Sequence, residues 1–314
     1  MKSTLLKAMA IATMLVGSLT AAQALQTAGA HRPAAVPENY LITPFGYFHP
    51  SCVVQLAKGD ELLTNKGVIQ HSNGTSSKMP MCAFAHYRAD GERVMGDEQG
   101  IKNPDISHAW IEYASVVDVQ GKSYGYLYAE WPVPPTPTAN DGQTLYYFPG
   151  VEDIDDVVTI IQPVLGWNSD YASAWGIASW NCCESGTTYE ATPQQVSSGD
   201  TIYGVIGCAT AQPCTSWYIS TFDYQNGKQS YFSNTPSYGQ TFNWAFAGVL
   251  EVYNIKQCSD YPTNGSTAFG SITLTSQSGV VITNPAWNMT NWASGLTPQC
   301  NYAATLPNQA IIFY

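Results

Sequence analysis

A single carboxylate, Glu251, interrupts the apolar run Trp244 to Tyr253 (WAFAGVLEVY). A lone charge in such a strand is costly unless it is paired, hydrogen-bonded or protonated, so a folded chain must place it deliberately. About ninety residues earlier, the β-branched run Val157-Val158-Thr159-Ile160-Ile161 ends on an amide, Gln162. A carboxylate can take and return a proton, and an amide can donate to a developing oxyanion while its carbonyl orients a water. Together they supply what acyl hydrolysis needs without a metal or cofactor: a base, an oxyanion donor and a proton for the leaving group. We read Gln162 and Glu251 as facing each other across a β-sandwich, a catalytic dyad active in acid. The plainer alternatives are a glutamate on the solvated face of a half-buried sheet and a polar strand end before Pro163.

Strands must position these two side chains. Period-two alternation puts Val158, Ile160 and Gln162 on one face of Val157 to Gln162, and Ala247, Val249, Glu251 and Tyr253 on one face of Ala245 to Tyr253. Trp110 to Val119 and Ser123 to Trp131 read as strands with a tight connection, hence a hairpin. Pro132, Pro134, Pro135 and Pro137 then stop any strand. Further strands are expected at Thr144 to Phe148, Tyr171 to Ser179, Thr201 to Gly207, Ser216 to Phe222, Gln229 to Phe232, Phe269 to Thr275 and Ala310 to Tyr314. No stretch has a convincing amphipathic helical period. The pattern predicts an all-β fold, an antiparallel β-sandwich.

Residues 1–24 carry Lys2 and Lys7, an apolar stretch from Ala8 to Val16 and the small-x-small triplet Ala22-Gln23-Ala24, the signature of a secretory signal peptide. No later apolar run reaches membrane-spanning length, so the expectation is an exported, soluble monomer with no membrane partner. Eight cysteines agree with an oxidising compartment. Proximity favours Cys52 with Cys82, Cys208 with Cys214 and Cys258 with Cys300. The adjacent Cys182 and Cys183 are left to reach separate partners. Metal binding is not expected, since there is no CxxC pair and all five histidines lie at or before His108.

Charge divides the chain in two. Residues 25–104 balance seven basic against seven acidic residues, whereas residues 105–314 hold Lys122, Lys228 and Lys256 against sixteen Asp and Glu. Nucleic acid is therefore excluded as a partner. Protonation in acid leaves the second part with little net charge and little self-repulsion. Residues 25–104, rich in Pro, Gly and polar residues, form a separate N-terminal segment, either a propeptide or an accessory cap. His31, His49, His71 and His86 there gain charge as pH falls, which would weaken docking onto residues 105–314.

The sequence has no GxSxG, HExxH, Walker or GxGxxG motif and no Asp-Thr-Gly or Asp-Ser-Gly, which removes the common hydrolase and nucleotide classes. What it has is an order: Glu130-Trp131-Pro132-Val133-Pro134, Tyr147-Phe148-Pro149-Gly150-Val151-Glu152-Asp153, Thr159-Ile160-Ile161-Gln162, aromatics from Trp175 to Trp180, Ser198-Gly199-Asp200-Thr201-Ile202 and Gly248-Val249-Leu250-Glu251-Val252. From Ala109 to Thr275 this order resembles the glutamic peptidases of the eqolisin type and, more distantly, the neprosin-type peptidases, which use two glutamates. The resemblance implies two strongly bent antiparallel sheets, a concanavalin-like jelly roll, whose concave face binds extended peptides. It also implies a Gln and a Glu as the catalytic pair, at Gln162 and Glu251, and an acid-active endopeptidase acting on polypeptides.

Trp167, Tyr171, Trp175 and Trp180 follow Gln162 closely and are read as lining a groove for an extended chain. Asp153, Asp155 and Asp156 read as a solvated acidic turn. The competing reading is a carbohydrate-binding or glycoside-hydrolysing sandwich, which needs a second carboxylate about 5 to 10 Å from Glu251. Glu112, Glu130 and Glu190 are its candidates.

Overall fold

Alternation in the sequence is realised as twenty-three strands among the described residues. The computed structural model describes residues 32–63, 66–94, 109–118, 120–155, 159–183, 186–210, 213–293, 298–305 and 309–314. Residues 1–24, read above as a signal peptide, and His31, His108, Val157 and Val158 lie outside the described residues. In the N-terminal part the strands are β1 (Leu41–Thr43), β2 (Gly46–Phe48), β3 (Val53–Leu56), β4 (Glu61–Leu63), β5 (Val68–Gln70), β6 (Ser76–Lys78), β7 (His86–Tyr87) and β8 (Arg93–Val94). Next come β9 (Trp110–Val117), β10 (Tyr124–Pro132), β11 (Thr144–Glu152), β12 (Ile160–Trp167), β13 (Trp175–Cys182), β14 (Thr188–Ala191), β15 (Gln194–Val196) and β16 (Thr201–Cys208). The chain ends with β17 (Ser216–Asp223), β18 (Gln229–Pro236), β19 (Trp244–Tyr253), β20 (Ser266–Ser276), β21 (Asn288–Asn291), β22 (Ala303–Thr305) and β23 (Ala310–Phe313). Among the described residues there is no α-helix, and the chain is all-β as its periodicity requires.

Two sheets make the sandwich. One runs β18-β17-β16-β10-β20-β23-β22; the other runs β21-β9-β19-β11-β12-β13-β14-β3, with β15 also on β13. Leu145, Tyr147, Leu165, Ile177, Leu250 and Val252 of the larger sheet are all buried between the two sheets. Trp131 anchors this layer from β10, packing at 5.3 Å on Phe269, and it has room because Gly204 carries no Cβ, which would lie 2.7 Å from the ring. Trp131 is 1% exposed. Trp131→Ala is therefore expected to lose about 3 to 5 kcal/mol of stability, read from urea denaturation.

The other face of the larger sheet is also covered. Val36, Tyr40, Phe45, Tyr47, Phe48 and Cys52 from the N-terminal part form one apolar cluster with residues of β9, β11, β12, β13 and β19. Strand β3 joins the sheet itself by parallel pairing with β14. The remaining N-terminal strands form two small sheets, β1-β2-β7-β8 and β4-β5-β6. The strands at the centre of the larger sheet, β11, β12, β13 and β19, are thus buried on both faces, which is why they read as continuous apolar runs.

Three expectations are corrected here. Strands β9 and β10 do not form a hairpin but belong to different sheets. Both ends of their connection bond the segment before β19, Asp118 N–H to Asn243 O and Tyr124 N–H to Phe242 O, each at 2.8 Å, so the chain crosses the sandwich edge there. Cys182 and Cys183 pair with each other, because the other six cysteines are committed to the three expected bridges. Finally, neither Pro149-Gly150 nor Pro163 stops its strand: β11 continues to Glu152 and β12 to Trp167.

Candidate active site

The two prolines explain how the strands continue. The β11–β12 ladder pairs Tyr147 with Leu165 and Val151 with Ile161, but no residues between them. In that register Pro149 lies opposite Pro163, two residues without an N–H to offer, so the ladder opens where hydrogen bonds are impossible. On the other side of β11, the register with β19 shifts between Phe148 and Gly150. A further shift between Phe246 and Gly248 occurs where β19 meets β9. Such bulges bend the strands that carry them.

Gln162 stands at this opening, opposite Gly150 and fully buried. Its neighbours in β12 set its direction: Ile160 and Val164 face the N-terminal strands, and Ile161 and Leu165 face the sandwich interior. Gln162 therefore points under the N-terminal cover. Neither its Oε1 nor its Nε2 has a hydrogen-bond partner in the protein. A buried amide without a partner is costly, and such groups in folded proteins call for a functional account.

Glu251 is on the same face. In β19, Val249 and Tyr253 point under the cover while Leu250 and Val252 point inward. The alternation read from sequence placed Ala247 with Glu251, but the bulge reverses it, and Phe246 takes that place while Ala247 is in the core. Gln162 and Glu251 consequently do not face each other from opposing sheets. They lie in one sheet, on one face, with β11 between them, and Glu251 is opposite Tyr146 rather than Gly150.

Glu251 is fully buried and tightly held. Trp110 Nε1 donates to its Oε2 at 3.0 Å and the Tyr253 hydroxyl donates to its Oε1 at 2.5 Å. Burial pushes its pKa up to about 8, against the opposing effect of these two hydrogen bonds. A carboxyl this basic is protonated throughout acid and into neutrality.

A third polar residue on this face was missed from sequence. Glu152, the last residue of β11, is 1% exposed, and its Oε1 has no partner in the protein. Burial, and then the charge of Glu251, raise its pKa to about 8. The carboxyls of Glu152 and Glu251 thus sense each other across the bend. The signal was present in the alternation Tyr146, Phe148, Gly150, Glu152, obscured by reading Pro149-Gly150 as a strand end. Of the earlier carboxylate candidates, Glu190 lies in the row Gln162, Trp180, Glu190, Gln55, and Gln55 Nε2 donates to it at 3.4 Å. Glu112 is buried beside Tyr261 and Tyr302, away from Gln162, and Glu130 accepts from Tyr128 and Ser271 on the smaller sheet.

Among the four aromatics, Trp180 shares the face of Gln162 and meets Phe45 of the cover at 6.0 Å. Trp167 and Trp175 pack on each other at 5.3 Å in the sandwich interior, because odd-numbered positions of β12 and of the start of β13 face inward. Tyr171 is half-buried outside the strands, its ring over Gly176 and its hydroxyl donating to Pro193 O at 3.0 Å. Asp153 accepts from the Thr241 N–H at 2.8 Å and helps fix the turn after β11.

Gly150 lies opposite Gln162 and two residues before Glu152 on the same face. A Cβ at Gly150 would lie 3.4 Å from Ile160 Cδ1 and 3.6 Å from Gln162 Cβ, ordinary contact distances. Gly150→Ala is therefore expected to fold with stability within about 0.5 kcal/mol of the parent while losing most activity, a split read by thermal melting and a turnover assay.

Solved structures similar to this chain include scytalido-glutamic peptidase with a transition state analog inhibitor, at 14% identity over 66% of this chain and 98% of that chain, TM-score 0.47. Another is SCP-B, a member of the eqolisin family of peptidases in complex with the tripeptide Ala-Ile-His, at 15% identity with the same coverage and TM-score. A third is toad ovary galectin with thio-digalactose, at 14% identity over 52% of this chain and 98% of that chain, TM-score 0.26. No family model and no curated protein matches the sequence.

Proposed function

We propose that the chain is a secreted, acid-active endopeptidase of the glutamic type, in which Gln162 and Glu251 act on an extended polypeptide and residues 25–104 keep the precursor latent. The observation that carries this reading is the Gln162 amide, buried without a partner on the same face as a carboxylate held by Trp110 and Tyr253. That face lies under the N-terminal strands, so a substrate reaches it once they leave. Trp180 then borders the groove, Trp167 and Trp175 hold β12 and β13 from behind, and Tyr171 braces β13 at Gly176.

Covering the face also disables the base. Under the N-terminal strands Glu251 has a pKa raised to about 8 and stays protonated in acid. Uncovering readmits water, relieves the desolvation and lets the carboxylate ionise at mildly acid pH. It then takes a proton from water, the hydroxide adds to the peptide carbonyl, and the Gln162 Nε2 donates to the oxyanion. The four disulfides suit export to an oxidising compartment.

The test is cleavage of an unfolded protein by the full chain between about pH 2 and 7, before and after acid incubation, with and without a chelator. The expected result is chelator-resistant acid cleavage that appears as residues 25–104 are shed. Absence of cleavage under all these conditions, with release of soluble sugar from a glycan, overturns the reading in favour of the carbohydrate-active one.

A further inference from the structure

Both polar atoms of Gln162 and the Oε1 of Glu152 are buried without a hydrogen-bond partner, on adjacent strands of one face. Because Gln162 lies opposite Gly150, Glu152 is its diagonal neighbour, a relation about 7 Å wide that long side chains span. Gly150 and Ile160 complete this square of facing positions, so an acyl group placed against the Gln162 amide lies within one residue's width of Glu152. In a structural core this arrangement costs stability and adds nothing to packing.

Glu251 is differently placed. Both of its oxygens are occupied by Trp110 and Tyr253, which fix it as an acceptor of a water proton but leave it poorly suited to swing toward a departing amine. Glu152 Oε1 has no such restraint. The charge that acts on Glu152 comes from Glu251, so when Glu251 ionises it holds Glu152 in its protonated form.

Building on the peptidase reading, we propose that Glu152 is a further catalytic residue, the general acid that protonates the leaving amine while Glu251 serves as the base. Glu251 carboxylate removes one proton from water, and the oxygen forms its bond to the carbonyl carbon. The C–N bond then breaks, its electron pair goes to nitrogen, and nitrogen takes the proton from the Glu152 carboxylic acid. One water is consumed, and a proton passing from Glu251 to Glu152 restores both groups.

The role separates substrates by leaving group. A peptide amide needs its nitrogen protonated, whereas an activated aryl ester of the same acyl sequence leaves without a proton. In the acid-incubated full chain, Glu152→Gln is expected to cut amide kcat/KM by about 100-fold while aryl ester cleavage stays near the parent value. Glu251→Gln is expected to lose both. Glu152→Asp, with its proton one methylene back, is expected to recover part of the amide activity; should the glutamine variant fail to fold, it shows the same split in weaker form. Equal losses on amide and ester, or amide cleavage unaffected by Glu152→Gln, overturn the proposal and leave the peptidase reading standing. A parent chain that cleaves neither substrate overturns the peptidase reading itself, and the proposal with it.

Discussion

Glu251→Gln is expected to reduce acid peptide cleavage by about 10³ to 10⁴-fold, and Gln162→Ala by about 10² to 10³-fold, measured as kcat on an unfolded protein or a peptide. Both losses should fall on kcat, because each group is asked to act on charge that develops in the transition state rather than on the bound ground state. Glu251→Gln is nearly isosteric and keeps an acceptor for Trp110 or Tyr253. Its melting temperature should stay close to the parent's. Gln162→Ala removes an amide with no hydrogen bond to lose and so should not lower stability through lost polar contacts. The double variant is expected to be little worse than Glu251→Gln alone, since an oxyanion donor is of little use when the water is not activated. Activity surviving in folded Glu251→Gln would remove it from the chemistry.

The legible parts of this chain were those in which alternation was unbroken. Strands β10 and β16 alternate along most of their length in the smaller sheet and were placed from sequence to within a few residues. The two candidate residues were legible for another reason: a carboxylate and an amide inside apolar runs are conspicuous wherever the strands lie. What the residue types do not encode is which sheet each strand joins. The same pattern fits β9 and β10 as a hairpin or as two strands crossing a sandwich edge, and long-range bonds to Phe242 and Asn243 decide. Glu152 was hidden by a local rule applied correctly to the wrong context. Pro149 and Pro163 would each end a strand on their own, but opposite each other they leave a gap in which neither needs a donor. Past that gap Glu152 stays on the face of Gln162 and Glu251, near enough to Glu251 to feel its charge. The same compensation that conceals the strand from sequence reading forms the site.

His86→Leu is expected to slow the acid release of residues 25–104 by about two orders of magnitude at pH 4 and to change nothing at pH 7. His86 lies in β7 at 3% exposure, stacked on Phe48 at 4.7 Å with an interplanar angle of 5°, and neither ring nitrogen has a partner. Burial, and then the Arg88 charge, hold its pKa down to about 4. The unfolded value is 6.5. Because the folded cover binds this proton less tightly, its stability falls as pH drops from 6.5 towards 4, by about 3 kcal/mol in all. Asp60, whose pKa is lowered by the His71 side chain and the Ser72 and Ala57 backbone against the raising effect of burial, adds stability that is likewise lost as acid protonates it. The sandwich face responds in the opposite sense. Glu152 and Glu251, with pKa values raised to about 8, contribute most below their unfolded value of 4.5 and lose that contribution as pH rises towards 8. Acid therefore loosens the packing around His86, whereas Glu152 and Glu251, whose pKa values the cover itself raises, hold the cover more firmly as pH falls, so His86 acts against them. Leucine keeps the apolar contact with Phe48 without a site to protonate. Release is read by gel electrophoresis of samples taken over time, and hydrogen exchange at β1 and β2 reports opening before any cut. Equal release of parent and variant at pH 4 would assign the acid response to other groups and leave His86 as packing alone.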